Sequence, residues 1–142
     1  MTNDQIAAFI GRHTTAWNQR DPIVLSSGHT AGGVVLSPMF HRVEGRPQIR
    51  RTYSDLFAAF PDWELRYDEP IVAGNRVAVF FSVGATHQGD FMGIPGSGRR
   101  CVFEGVSLFL LSPDLLIEEE RRVYDFTGLL VQLGVLRVRV VR

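Results

Sequence analysis

The hydrophobic period of this chain changes from helical to alternating just after Asp62, and that change dictates its layer arrangement. Before Pro61 the apolar residues recur mostly at helical intervals, whereas from Trp63 to Tyr124 they mostly follow strand patterns. Ile6, Phe9, Ile10, His13 and Trp17 follow the capping-box spacing of Thr2-Asn3-Asp4-Gln5, which predicts a helix over about 3–19. Asp21-Pro22 starts a short second helix ending near Ser27-Gly28, and Val34 to Leu36 reads as a short strand. Arg46-Pro47 opens a third helix carrying Ile49, Tyr53, Leu56, Phe57 and Phe60 until Pro61 stops it. Trp63, Leu65 and Tyr67 then share one side of a strand, followed by strands over Arg76 to His87, Cys101 to Leu111 and Leu115 to Tyr124. Phe126 to Leu133 is a terminal helix stopped by Gly134, and the tail from Val135 to Arg142 alternates arginine with valine or leucine. Helices first and a meander of long antiparallel strands afterwards is an α+β arrangement, here one domain over residues 1–142, with helices covering one sheet face. A curved sheet wrapped on such helices encloses a pocket.

Composition narrows what that pocket does. The 15 basic residues are all arginine, so Schiff-base catalysis and any P-loop lysine are excluded. The one cysteine, Cys101, cannot form an intrachain disulfide or a thiolate metal cluster, and it suits a reducing compartment. Fifteen acidic residues balance the arginines, which argues against nucleic acid or an anionic membrane as partner and for a small or neutral one. No window reads as a signal peptide or a membrane span, so the expectation is a soluble, cytoplasmic protein. His13, His29, His41 and His87 lack metal-ligand spacing. Gly93 to Gly98 has the glycine spacing of a phosphate loop, but Arg99-Arg100 stands where Lys-Ser/Thr is needed, and the segment reads as a turn.

Strand parity sorts the candidate chemistry. Val77, Val79, Phe81, Val83 and Ala85 share a face with His87, which places this histidine in the interior. Val102, Val106, Leu108 and Leu110 share a face with Glu104, which makes it a candidate buried carboxylate. Glu119, Arg121, Val123 and Asp125 lie on one face of the last strand and Glu118, Glu120, Arg122 and Tyr124 on the other, and parity leaves open which is buried. His87, Glu104, Arg121 and Asp125 are therefore expected to converge in a pocket lined by Trp17, Tyr53, Phe57, Trp63 and Phe81, suited to an aromatic or polycyclic ligand. Each has a structural reading beside the chemical one: His87 as a hydrogen-bonded core residue, Asp125 as a helix N-cap, and Glu104 with Arg121 as an ion pair.

Three segments carry a family resemblance: Glu44 to Arg50 through Phe60-Pro61-Asp62-Trp63; Thr86-His87-Gln88-Gly89-Asp90-Phe91-Met92-Gly93-Ile94-Pro95; and Arg122-Val123-Tyr124-Asp125-Phe126-Thr127-Gly128-Leu129-Leu130 with Gln132-Leu133-Gly134. In this order they resemble the SnoaL-like polyketide cyclases, or ester cyclases, of the nuclear transport factor 2-like superfamily; Gly96-Ser97 departs from the more usual Pro-Thr. The resemblance implies a cone-shaped α+β barrel, usually dimeric, whose cavity holds a small hydrophobic polycyclic substrate. It implies an intramolecular aldol condensation that closes a ring of an aromatic polyketide ester without cofactor or metal. Asp125 would be the general acid/base and His87 would line the same pocket. Since a free aspartate is a weak base, this chemistry needs an apolar wall around the carboxyl and a substrate whose proton is already activated. A hydroxylation component, an isomerase, an epoxide hydrolase and a non-catalytic binding or dimerisation module remain as alternatives on the same fold.

Overall fold

The side chains of Thr2 and Gln5 each accept from the other's backbone N–H, and α1 (Asn3–Gln19) starts at this capping box. Asp21 caps α2 (Pro22–Ser27), and Pro47 sits in the first turn of α3 (Arg46–Ala59), where a missing N–H costs nothing. The computed structural model describes residues 1–141. Its strands are β1 (His29–Ser37), β2 (His41–Glu44), β3 (Glu64–Tyr67), β4 (Ile71–Ala73), β5 (Arg76–Thr86), β6 (Arg100–Leu111) and β7 (Ile117–Tyr124), and α4 (Phe126–Gln132) follows the last. The sheet order is β2-β1-β7-β6-β5-β3, with β4 also on β5; all neighbours are antiparallel except β1 beside β7. β1 is longer than the short strand expected, and β2 is additional. The register slips between His29↔Ile117 and Val34↔Glu119, so Thr30 to Gly33 bulge out and break the alternation that would have marked the strand.

The helices cover one face of this sheet, as the change of period required. Ile49, Tyr53, Leu56 and Phe57 of α3 and Trp17 of α1 join Leu65, Phe81, Val83 and Ala85 in the larger buried cluster. Ile6 and Phe9 pack with Val77, Val79, Phe109, Leu111 and Ile117 in a second one. Val77, Val79, Phe81, Val83 and Ala85 all face inward, and the same face of the chain carries on to His87, which has no exposed surface.

On β6 the expected parity is reversed. Cys101, Ser107, Phe109 and Leu111 are buried, while Val102, Glu104 and Leu108 are exposed. Both faces of this strand are apolar, so hydrophobicity alone does not distinguish them; cross-strand partners do, since Val83 stands beside Phe103 and Phe81 beside Gly105. On β7 the inward row is Glu120, Arg122 and Tyr124, and Arg121 lies outside, 4.0 Å from Glu119. Gly105 is needed where it is: a Cβ there would lie 2.6 Å from the Phe81 ring and 2.5 Å from the Val123 carbonyl oxygen.

Two side-chain amides stand in for missing strands. Asn18 bonds both the N–H and C=O of Leu65 on edge strand β3, each at 2.9 Å. Gln132 does the same for Val102, each at 2.8 Å, where β6 runs on past the end of β7. No helix among the described residues is long and apolar enough to cross a membrane.

Candidate active site

The interior is centred on a polar cluster that sits under aromatic walls. From β7, Arg122 donates through Nε to Glu120 Oε2 at 2.7 Å and through Nη2 to Glu120 Oε1 at 3.1 Å. Ser107 on the neighbouring strand donates to Glu120 Oε2 at 3.3 Å. Arg122 Nη2 also donates to the Tyr53 hydroxyl at 2.9 Å, which ties β7 to α3. The guanidinium lies 5.2 Å from the Trp17 ring and 5.5 Å from the Tyr53 ring, within cation–π range of both. Glu120 is wholly buried, and burial alone would raise its carboxyl; the bidentate Arg122 overrides that and holds it at about 2. It is therefore an anchored carboxylate with little basicity to offer. Burial pushes the Tyr53 and Tyr67 phenols above their ordinary value.

Two histidines stay neutral around this cluster. Burial lowers His13 to about 4, and its Nε2 accepts from Trp17 Nε1 at 3.2 Å, fixing the indole that backs Arg122. Burial lowers His29 to about 3, and among the described residues neither of its ring nitrogens has a partner.

Above Arg122 lies a narrow cavity walled by Trp17, Trp63, Tyr67, Phe81, Phe103 and Tyr124, with Met39 and Phe40 from the β1–β2 turn, and with Ser107 and Arg122 among its polar residues. Its free volume is about 20 Å³, room for about one water, so a polycycle enters only if the walls move. Arg122 Nη1 makes no hydrogen bond among the described residues, and Arg122 is the one cation lining this space. The arrangement presents a guanidinium donor to an acceptor oxygen on a flat, unsaturated molecule.

The structure divides the expected residues. Trp17, Trp63 and Phe81 line the cavity, and Tyr53 and Phe57 stack on each other behind Trp17. Glu104 and Arg121 are on the outer sheet face, because the inward parity of both strands is the opposite one, and they do not meet the cavity. His87 is buried beside Phe60 and Phe91, with Nδ1 2.9 Å from the Ser97 hydroxyl, and it anchors the 93–98 loop. Asp125 is exposed at the N-cap of α4, where Oδ1 accepts from Gly128 N–H at 2.8 Å. The four polar residues expected to converge are thus spread over both faces and the sheet end. Glu120 and Arg122 were not singled out; the readable signal is a Glu-x-Arg-x-Tyr row of one parity, an internal ion pair that lets a charged face turn inward.

A curved sheet wrapped on three helices around an aromatic cavity defines the ketosteroid isomerase-like, or nuclear transport factor 2-like, class. A protein of that fold from Catenulispora acidiphila superposes with a TM-score of 0.78 at 17% identity, over 90% of this chain and 93% of its own. The chain belongs to the SnoaL-like polyketide cyclase family, whose sequence model matches residues 7–133. AclR from Streptomyces galilaeus, for which a hydroxylase role has been suggested, is 27% identical with a TM-score of 0.82, over 96% of this chain and 89% of its own. IdmH from Streptomyces antibioticus, a suggested polyketide cyclase, is 23% identical with a TM-score of 0.74, over 91% and 98%. Among curated protein sequences none matches it.

Proposed function

We propose that this protein closes a ring in an aromatic polyketide ester by intramolecular aldol addition inside the aromatic cavity, with Arg122 holding the enolate oxygen. The observation that carries this reading is that Arg122 lines that cavity while its Nη1 makes no hydrogen bond among the described residues, the guanidinium being braced by Glu120 and Tyr53 so that it needs no reorganisation as charge develops. The substrate loses a proton from a carbon flanked by two carbonyls. Its enolate oxygen accepts from Nη1, the enolate carbon attacks a carbonyl of the same molecule, and the new alkoxide takes a proton back. The walls contribute by holding a flexible chain in the folded, reactive shape. Asp125 is the proposed proton carrier: its Oδ2 makes no hydrogen bond among the described residues, and its neighbour Tyr124 lines the cavity. His87 supports the site through the 93–98 loop that it anchors.

A second reading is favoured by the 27% identity to AclR. The same stabilised carbanion can add oxygen and take back the proton it lost to give a hydroperoxide, which a reductant supplying two electrons and two protons converts to the alcohol and water. Both readings begin at Arg122 and separate at oxygen.

The test is to incubate the protein with a linear anthraquinone-type ester, with and without oxygen and reductant, and to follow products by chromatography. Wild type is compared with Arg122→Lys and Asp125→Asn, each checked for folding. Ring closure without oxygen that falls by about two orders of magnitude or more in both variants is the expected result. Turnover only with oxygen and reductant would transfer the assignment to hydroxylation. Unchanged rates in folded Arg122→Lys would remove the enolate-holding role.

A further inference from the structure

Four buried side-chain nitrogens have no hydrogen-bond partner among the described residues: both of His29, Nε2 of His87 and Nε1 of Trp63. Of these only Trp63 Nε1 belongs to a residue that lines the aromatic cavity. An indole N–H donates and cannot accept, and water bonds it in the unfolded chain, so burying it without an acceptor is uncommon. Trp63 is 4% exposed.

The surroundings of Trp63 explain why the protein supplies no acceptor. Its ring stacks on Trp17 at 6.0 Å between centroids and packs T-shaped against Phe60 and Phe103 at 5.7 Å each, so aromatic hydrocarbon flanks it. Its backbone is pinned on both sides, the N–H donating to the Phe60 carbonyl at 3.2 Å and the C=O accepting from Arg20 Nη1 at 2.9 Å. The ring is thereby held in place with its donor unused. Trp17 differs, because its Nε1 donates to His13 Nε2. One indole donor is committed to structure and the other is not.

We propose that Trp63 sets the ligand specificity of this cavity: its Nε1–H donates to a carbonyl oxygen of the ligand other than the oxygen held by Arg122. This rests on the cavity being the substrate site. Arg122 is also a pure donor, and its Nη1 makes no hydrogen bond among the described residues. Its guanidinium lies 5.2 Å from the same Trp17 ring on which Trp63 stacks, so one fused polycycle can reach both residues. The pair fits a flat molecule with carbonyl oxygens at two positions, a quinone or polyketone. It disfavours a polycycle with a single oxygen, which goes to the stronger, charged donor and leaves the indole N–H buried and unpaired. During ring closure, with the enolate oxygen on Arg122, the second carbonyl on Trp63 fixes which way round the substrate lies.

Equilibrium dialysis compares a monohydroxyanthraquinone with the hydroxyanthracene of the same outline, on wild type and on Trp63→Phe, which stays aromatic without the N–H. The preference of wild type for the quinone is expected to fall at least about tenfold in the variant, with folding checked by circular dichroism. Trp17 and Trp63 are the only tryptophans, so heteronuclear NMR shows two indole N–H signals, told apart by the loss of one in Trp17→Phe or Trp63→Phe. The quinone is expected to move the Trp63 nitrogen signal downfield and the hydroxyanthracene to leave it in place, with Trp17, already bonded to His13, as internal reference. Should Trp63→Phe fail to fold, the wild-type spectra decide alone. A quinone preference unchanged in folded Trp63→Phe overturns the proposal, as does a Trp63 signal that both ligands move alike or neither moves on binding; the Arg122 reading survives each of these. Wild type that binds neither ligand would overturn the cavity as substrate site, and this inference with it.

Discussion

Glu120 and Arg122 face inward from the same strand two residues apart, and their side chains meet in two hydrogen bonds made by Nε and Nη2 of an arginine that also lines the cavity. Each charge is tolerable there only because the other is present. Arg122→Leu or Glu120→Leu alone should cost about 3–5 kcal/mol by stranding a buried charge, and the double replacement much less than the sum. Urea unfolding of the four proteins measures this, and additive losses would mean the two groups are separately solvated.

Phe40 lines the cavity from the β1–β2 turn. If wall movement limits entry, Phe40→Ala should speed association of a planar hydroxyanthraquinone by about tenfold or more, with little change in the contact to Arg122. Trp17 and Trp63 line the cavity, so stopped-flow quenching of their fluorescence reports the rate. An unchanged rate would place the barrier elsewhere in the wall.

The elements were legible where one residue pattern had one explanation. Helices α1 and α3 announced themselves through Thr2-to-Gln5 capping, Arg46-Pro47 and Pro61, and β5 through its unbroken inward row from Val77 to Ala85. The site was less legible because β6 and β7 each offer two similar faces. On β6 the apolar row of Val102, Val106 and Leu108 is the outer one, and its hydrophobicity has a different cause from core burial. On β7 every position from Glu118 to Arg122 is charged, so hydrophobicity does not separate the faces; the Tyr124 that ends the Glu120–Arg122 row is the one hint, and the Ser107↔Arg122 and Phe109↔Glu120 pairing decides it. The β1–β7 contact is parallel and interrupted by a bulge, and short-range periodicity carries no trace of it.

Asn18 and Gln132 occupy helix positions where an amide has no evident purpose until the sheet edges are seen. Asn18→Ala or Gln132→Ala leaves a strand N–H and C=O without their protein partners, and each should cost about 1–3 kcal/mol. Hydrogen exchange should locate the effect, with faster exchange at Leu65 in the first variant and at Val102 in the second. Uniform acceleration over the whole sheet would instead mean global destabilisation without a local role.

Acid should weaken the fold earlier than its carboxylates alone would allow. Burial holds His13 at about 4 and His29 at about 3, below the ordinary 6.5, so the unfolded chain takes up protons that the folded chain refuses. The stability associated with keeping both neutral is complete above about pH 6.5 and declines as pH falls toward the folded values. Between about pH 7.5 and pH 5 each histidine should cost about 2 kcal/mol, roughly 4 for the pair. Glu120 acts in the same direction but lower, since its contribution is present above about 4.5 and is lost as pH falls toward about 2. Urea unfolding at the two higher pH values therefore isolates the histidines. His29→Leu should remove about half of the pH-dependent loss and leave stability near pH 7.5 no lower than wild type, because neither ring nitrogen has a partner to lose. A His29→Leu protein whose stability falls with pH in parallel to wild type would show that His29 titrates freely and that the loss originates elsewhere.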